Sequence, residues 1–178
     1  ASLVGYTNAG KSTLLNTLTD AGVRSESRLF STLDPVTRRI VLPGGGAALV
    51  TDTVGFISKL PPAIVAAFRA TLEEIEESTV ILHVLDITHP NAPEQAEVVD
   101  DILRGMEVGD IPRLMVYNKV DLLADHADPN EPPREWELPP NRNVAYVSAK
   151  TGQGIPELLR NLEATLDGRG TEASMVVG

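Results

Sequence analysis

Four short stretches of the 178-residue chain carry residue types at spacings that could do chemistry. The first is Gly5-Tyr6-Thr7-Asn8-Ala9-Gly10-Lys11-Ser12, with Thr13 next in line. It fits G-x-x-x-x-G-K-[ST], in which glycines let successive backbone N–H groups turn inward around phosphate oxygens. Lys11 can reach the β- and γ-phosphates, the Ser12 hydroxyl can ligate Mg²⁺, and a helix opening at Lys11 adds its positive end. The plain alternative is an ordinary glycine-bearing turn. The second stretch is Asp52-Thr53-Val54-Gly55. Its carboxylate can hold a metal's hydration shell, and Gly55 can bring its backbone N–H close to a γ-phosphate because no side chain intervenes. An aspartate at a strand end is otherwise a turn-former.

The third stretch, Asn118-Lys119-Val120-Asp121, suits a base. Asp121 can accept from two adjacent N–H donors, as guanine N1–H and its 2-amino group provide. Adenine has an acceptor at N1 and would leave the carboxylate unmatched, a costly outcome in a partly buried site. The fourth, Ser148-Ala149-Lys150, can back the base with a main-chain N–H. Each of the last two is weak alone; four in this order, each at a strand's carboxyl end, are not.

The elements that must position these residues are legible from periodicity. Apolar, β-branched runs predict strands at Ser2–Gly5, Thr37–Leu42, Ala48–Asp52, Val80–Asp86, Arg113–Asn118 and Val144–Ser148. Pro43-Gly44-Gly45-Gly46 predicts a hairpin turn and one antiparallel pair. Helical spacing joins Leu14, Leu15 and Leu18; Phe68, Leu72 and Ile75; Val99, Ile102, Leu103 and Met106; and Ile155, Leu158, Leu159, Leu162 and Leu166. Strands alternating with helices predict a three-layer α/β/α domain with a mostly parallel six-stranded sheet and one antiparallel strand. The domain is expected over residues 1–166, with a flexible Gly-rich tail over 167–178. Residues 125–142 hold five of the 13 prolines and read as a surface loop in which Trp136 anchors packing.

Composition removes other classes. There is no cysteine, so disulfide scaffolds, thiolate metal sites and thiol catalysis are excluded. The longest strand-like apolar run, Val80 to Leu85, is six residues, far from the roughly 20 a membrane span needs. The chain opens on no signal peptide, and a cytoplasmic location is expected. Fifteen basic and 25 acidic residues give a net charge of −10, which argues against tight nucleic-acid binding by this domain alone. The charge is uneven: residues 1–70 carry a net +3 and residues 71–178 a net −13, so an anionic ligand is expected against the first third. His83 falls in a buried-looking strand, His89 and His126 neighbour loops, and no cluster of histidines and carboxylates suggests a metal beyond Mg²⁺.

The four motifs in this order resemble those of a phosphate-loop GTPase over nearly the whole chain. The finer words are Gly5 to Ser12, Phe30-Ser31-Thr32-Leu33-Asp34-Pro35, and Asp52-Thr53-Val54-Gly55-Phe56-Ile57 followed by Leu60-Pro61. These resemble the HflX family, GTPases related to Obg that bind the large ribosomal subunit. The resemblance implies GTP and GDP as ligands, hydrolysis slow in the isolated domain, and residues 30–34 as a switch loop. Thr32 of that loop would close over the γ-phosphate and ligate Mg²⁺ with Ser12. In several related GTPases an Asn at the place of Asn8 helps hold K⁺; the alternative is a local loop hydrogen bond. Lys11, Thr32, Gly55 and Asn8 are thus the candidate catalytic group. Two departures stand out. Family members carry an N-terminal domain before the phosphate loop, so this chain reads as an excised or truncated G domain. Phe56 stands where many regulatory GTPases place a water-orienting glutamine, and a phenyl ring cannot make that hydrogen bond.

Overall fold

The computed structural model describes residues 1–20, 36–53, 55, 73–106, 108, 110–123 and 143–168. The expectations placed on residues 30–34, Val54, Phe56, Phe68, Leu72, all of 125–142 with His126 and Trp136, and 169–178 lie outside these. In chain order the elements are β1 (Ser2–Val4), α1 (Lys11–Asp20), β2 (Val36–Val41), β3 (Ala47–Asp52) and β4 (Ile81–Asp86). There follow α2 (Ala92–Gly105), β5 (Arg113–Asn118), a 3₁₀ turn (Val120–Leu122), β6 (Asn143–Tyr146) and α3 (Ile155–Leu166). The sheet order is β2-β3-β1-β4-β5-β6. All pairs are parallel except β2 with β3, where Val36 faces Asp52 and Val41 faces Ala47. That is the predicted architecture, hairpin included: the Leu42 N–H donates to the Gly46 carbonyl at 2.9 Å across the turn.

Period-two alternation sorts the strand residues onto two faces. Leu3, Ile40, Val50, Leu82, Val84, Leu114, Val116 and Ala145 pack with Leu14, Leu15 and Leu18 of α1 and with Ile155, Leu158, Leu159 and Leu162 of α3. On the opposite face Val4 and Ile81 meet Ile75 and the Val99 and Leu103 stripe of α2. Leu85, Met115 and Tyr117 form a third cluster on this second side. Each fully buried leucine contributes roughly 1.5–3 kcal/mol. α2 carries Glu94 in its first turn and Arg104 in its last, the arrangement a helix dipole favours. His83 is fully buried in β4, with Nδ1 3.7 Å from Asp100, which also pairs with Arg113 at 2.8 Å.

Boundary differences have local causes. β6 is predicted to run to Ser148 but ends at Tyr146, because the Ser148 N–H turns to the Gln153 carbonyl at 3.0 Å. The last helix, α3, ends at Leu166, where the domain is expected to end; Asp167 caps it, and Gly168 follows at φ +74° with its N–H donating to the Thr165 carbonyl. Because β1, β3, β4, β5 and β6 run the same way, their carboxyl ends share one edge of the sheet. All four chemistry-bearing stretches arrive there.

Candidate functional site

The phosphate loop leaves β1 at Gly5 and closes on α1 at Lys11. Its backbone passes too near its neighbours for side chains at two positions. A Cβ at Gly5 would meet the Val84 carbonyl oxygen, and one at Gly10, where φ is +98°, would meet the Asn118 side-chain amide. Asn8 is left-handed at φ +63°, a conformation asparagine tolerates better than most residues. It is exposed, and among the described residues its amide makes no hydrogen bond. The left-handed backbone at this position is one that suits an Asn. Ala9 is buried and its N–H donates to the Tyr6 carbonyl at 3.2 Å. Thr7 and Thr13 are exposed, and Tyr6 is half-buried.

Lys11 is buried, and its Nζ donates to the carbonyls of Gly5 and Tyr6 at 3.2 and 3.3 Å. Burial pushes its ammonium down to about 8, while the charge of Asp52 pulls the other way. Asp52, at the end of β3, accepts from the Ser12 hydroxyl on Oδ2 at 2.5 Å. Its Oδ1 is buried and, among the described residues, has no hydrogen-bond partner. Burial raises the carboxyl above its ordinary value, against the Ser12 bond and the Lys11 charge. An orphaned carboxylate oxygen beside a serine hydroxyl suits a hard, oxygen-seeking cation, so these residues fit Mg²⁺. Thr53 turns inward, donating to the Leu3 carbonyl at 2.5 Å. A Cβ at Gly55 would lie 2.9 Å from Thr7 Cα and 3.1 Å from Lys11 Nζ, so the second stretch sits directly against the first.

On the base side the predicted residues converge, but with different tasks. Asn118 is buried and bridges two loops: its Nδ2 donates to the Ala9 carbonyl at 2.9 Å, and its Oδ1 accepts the Ala149 N–H at 2.9 Å. The main-chain N–H of Ala149 is thus engaged by the protein itself. Lys119 is left-handed at φ +70° and opens the 3₁₀ turn that presents Val120 and Asp121. Asp121 is half-buried, and among the described residues its carboxylate makes no hydrogen bond or ion pair. Ser148 is buried and accepts the Thr151 N–H at 3.1 Å, and Lys150 stands exposed beside it.

Sequence reasoning missed two contributors. Asp86, at the end of β4, accepts Lys119 Nζ at 2.5 Å on one oxygen and the Thr88 N–H and hydroxyl at 3.0 and 2.7 Å on the other. Burial pushes its carboxyl up, but Lys119 and Thr88 outweigh that and hold it below the ordinary range. Its signal was available: it closes a central parallel strand on the same edge, register-paired with Asn118. Thr17 of α1 donates to the Ala149 carbonyl at 2.5 Å, a contact across 132 residues that no local pattern announces.

Comparison with known proteins agrees with this geometry. GTPase HflX of Caldanaerobacter subterraneus subsp. tengcongensis is 46% identical over 165 residues, covering 93% of this chain and 36% of that protein. GTPase HflX of Escherichia coli is 47% identical over 167 residues, covering 94% and 38%. The chain therefore spans less than two fifths of these relatives. Among solved structures, a GTP-binding protein of Sulfolobus solfataricus in complex with GDP superposes with a TM-score of 0.69 at 26% identity, covering 94% of this chain and 52% of that one. Era of Aquifex aeolicus bound to GDP·AlF4⁻ superposes at 0.68 with 22% identity, over 93% and 55%, and shows the fold alone. A family model described as 50S ribosome-binding GTPase matches residues 1–119, from β1 through the phosphate loop and Asp52 to Lys119. With that match, and with HflX proteins as its relatives, the chain belongs to the family of 50S ribosome-binding GTPases.

Proposed function

We propose that this chain binds GTP with Mg²⁺, hydrolyses it to GDP and phosphate, and works with the large ribosomal subunit in the cytoplasm. The observation that carries the reading is the convergence of Lys11, Ser12, Asp52 and Gly55 at one end of the sheet edge and Asn118, Lys119 and Asp121 at the other. Asn118 ties the two halves together. Lys11 exchanges the carbonyls of Gly5 and Tyr6 for phosphate oxygens and neutralises charge that builds between the β- and γ-phosphates. Ser12 and Asp52 would hold Mg²⁺, with Thr32 joining as the third protein group; a bound ion would supply positive charge to the phosphates. The Gly55 N–H is placed to meet the γ-phosphate. Asp121 accepts the guanine N1–H and 2-amino group, and residues 148–150 back the ring. Asn8, exposed and with no amide hydrogen bond among the described residues, is a K⁺ ligand in this reading.

Phe56 cannot orient the attacking water, so turnover is slow until a partner orders the switch residues. That one residue also supports a second reading, a nucleotide-gated binding module whose hydrolysis only resets the bound state. Net charge −10 leaves tight contact with ribosomal RNA to other parts of the longer relatives. Single-turnover phosphate release, measured with and without large ribosomal subunits, tests the scheme. A longer relative is expected to be stimulated strongly and residues 1–178 weakly. Fast unstimulated turnover would refute the role given to Phe56, and equal stimulation of both would refute the division of labour.

A further inference from the structure

The base loop is tied to the rest of the site through one residue. Both backbone polar groups of buried Ala149 are taken by side chains of other elements: its N–H by Asn118 Oδ1 at 2.9 Å and its carbonyl by Thr17 Oγ1 at 2.5 Å. Within itself the loop is closely knit. The Ser148 N–H donates to the Gln153 carbonyl, the Gly152 N–H to the Ser148 carbonyl, and the Thr151 N–H to the Ser148 hydroxyl. It is built to move as one piece.

We infer that Thr17 is a positioning residue that latches this loop to α1 and so sets how fast a guanine nucleotide leaves; the inference rests on the guanine reading above. Thr17 lies five residues beyond Ser12, about 7–8 Å along the helix, too far to touch phosphates itself. Its hydroxyl has one proton and two acceptors, the Ala149 carbonyl and the Thr13 carbonyl of its own helix at 3.0 Å. When the loop swings out, the proton turns to Thr13 and the freed Ala149 carbonyl meets water. At the Thr17 end no group is stranded, so the Thr17 contact itself opens reversibly at the cost of one net hydrogen bond, beside the Ala149 to Asn118 bond that the loop also gives up. Closed, it fixes the base loop to the same helix that begins with Lys11 and Ser12, joining the two ends of the bound nucleotide.

Thr17→Val removes the hydroxyl and keeps the volume; Thr17→Ser keeps the hydroxyl. Dissociation of fluorescent methylanthraniloyl-GDP is expected to be about three- to tenfold faster from T17V. T17S should stay within about twofold of the parent chain, on the same single-hydrogen-bond scale. Amide exchange at residues 149–152 of the nucleotide-free protein should quicken in T17V alone. An unchanged T17V off-rate, or a T17S as fast as T17V, overturns the latch. Should the parent chain bind the ADP analogue as tightly as the GDP analogue, the guanine reading fails. The exchange measurement then decides the latch by itself, and unaltered exchange in T17V overturns it.

Discussion

Lys11 puts a pH limit on nucleotide binding whose size follows from its surroundings. The ammonium is buried between the Gly5 and Tyr6 carbonyls and is pushed down to about 8 by that burial, with Asp52 opposing. Only the charged form neutralises phosphate oxygens, and an anionic guest returns the group towards its ordinary range. Binding must then take up a proton near pH 8. A group titrating at about 8 is roughly nine-tenths charged at pH 7 and one-tenth at pH 9, so GDP affinity should fall about tenfold, ~1.4 kcal/mol, across that window. Lys11→Arg keeps its charge throughout and should show a flat profile whatever its absolute affinity. The assay is fluorescent GDP titration at saturating Mg²⁺ and constant ionic strength. Calorimetry in two buffers of different ionisation enthalpy would count the proton. A flat profile for the parent chain, or a parallel fall in K11R, would refute the reasoning. The same burial acts on folding with a definite sign. Without nucleotide, the folded state binds fewer protons than the unfolded chain between about 8 and 10.5. Stability should therefore rise with pH through that window, by up to about 3 kcal/mol from this group.

Other outcomes follow from single contacts. Asp121→Asn should weaken GTP by about 2–4 kcal/mol and improve xanthosine triphosphate, whose ring carbonyl suits the new amide; equal affinities by calorimetry would remove Asp121 from base recognition. Gly10→Ala places a methyl group against the Asn118 amide at φ +98° and should cost nucleotide affinity about 2–4 kcal/mol through strain and loss of the Ala9 bridge. Wild-type affinity in that variant would contradict the close approach. Leu82→Ala, at the second residue of β4 and fully buried, should lower unfolding free energy by about 2–5 kcal/mol in urea melts while leaving the base preference alone.

The sheet was legible because apolar alternation is a local signal. β5 was placed to the residue, and β1 and β4 differ by one position at a single end. The hairpin was legible for the same reason: Pro43 and three glycines permit little else. Strand ends were less so, since β6 stops where Ser148 finds a partner five residues further on. The loops' membership of one site was readable from their order at strand ends. Their division of labour was not. Asn118 reads as a base contact in sequence and also bridges Ala9 and Ala149 with one bond from each polar atom, and Thr17 and Asp86 act through partners far away in the chain. Such contacts exist only after the sheet has brought strand ends together.

That sheet order also dictates a timetable for synthesis. β1 lies between β3 and β4, with Ser2 opposite Thr51 on one side and Ile81 on the other. A ribosome making roughly 5–20 residues per second takes about 4–15 s to go from the end of β1 to the start of β4. Throughout that interval Leu3 and Val4, both fully buried in the finished fold, lack a flank, as do the leucines of α1 that share their core. The segment bearing the phosphate loop is thus made before both of its flanking strands and completed late, and factors that shield nascent apolar surface have those seconds in which to act on it.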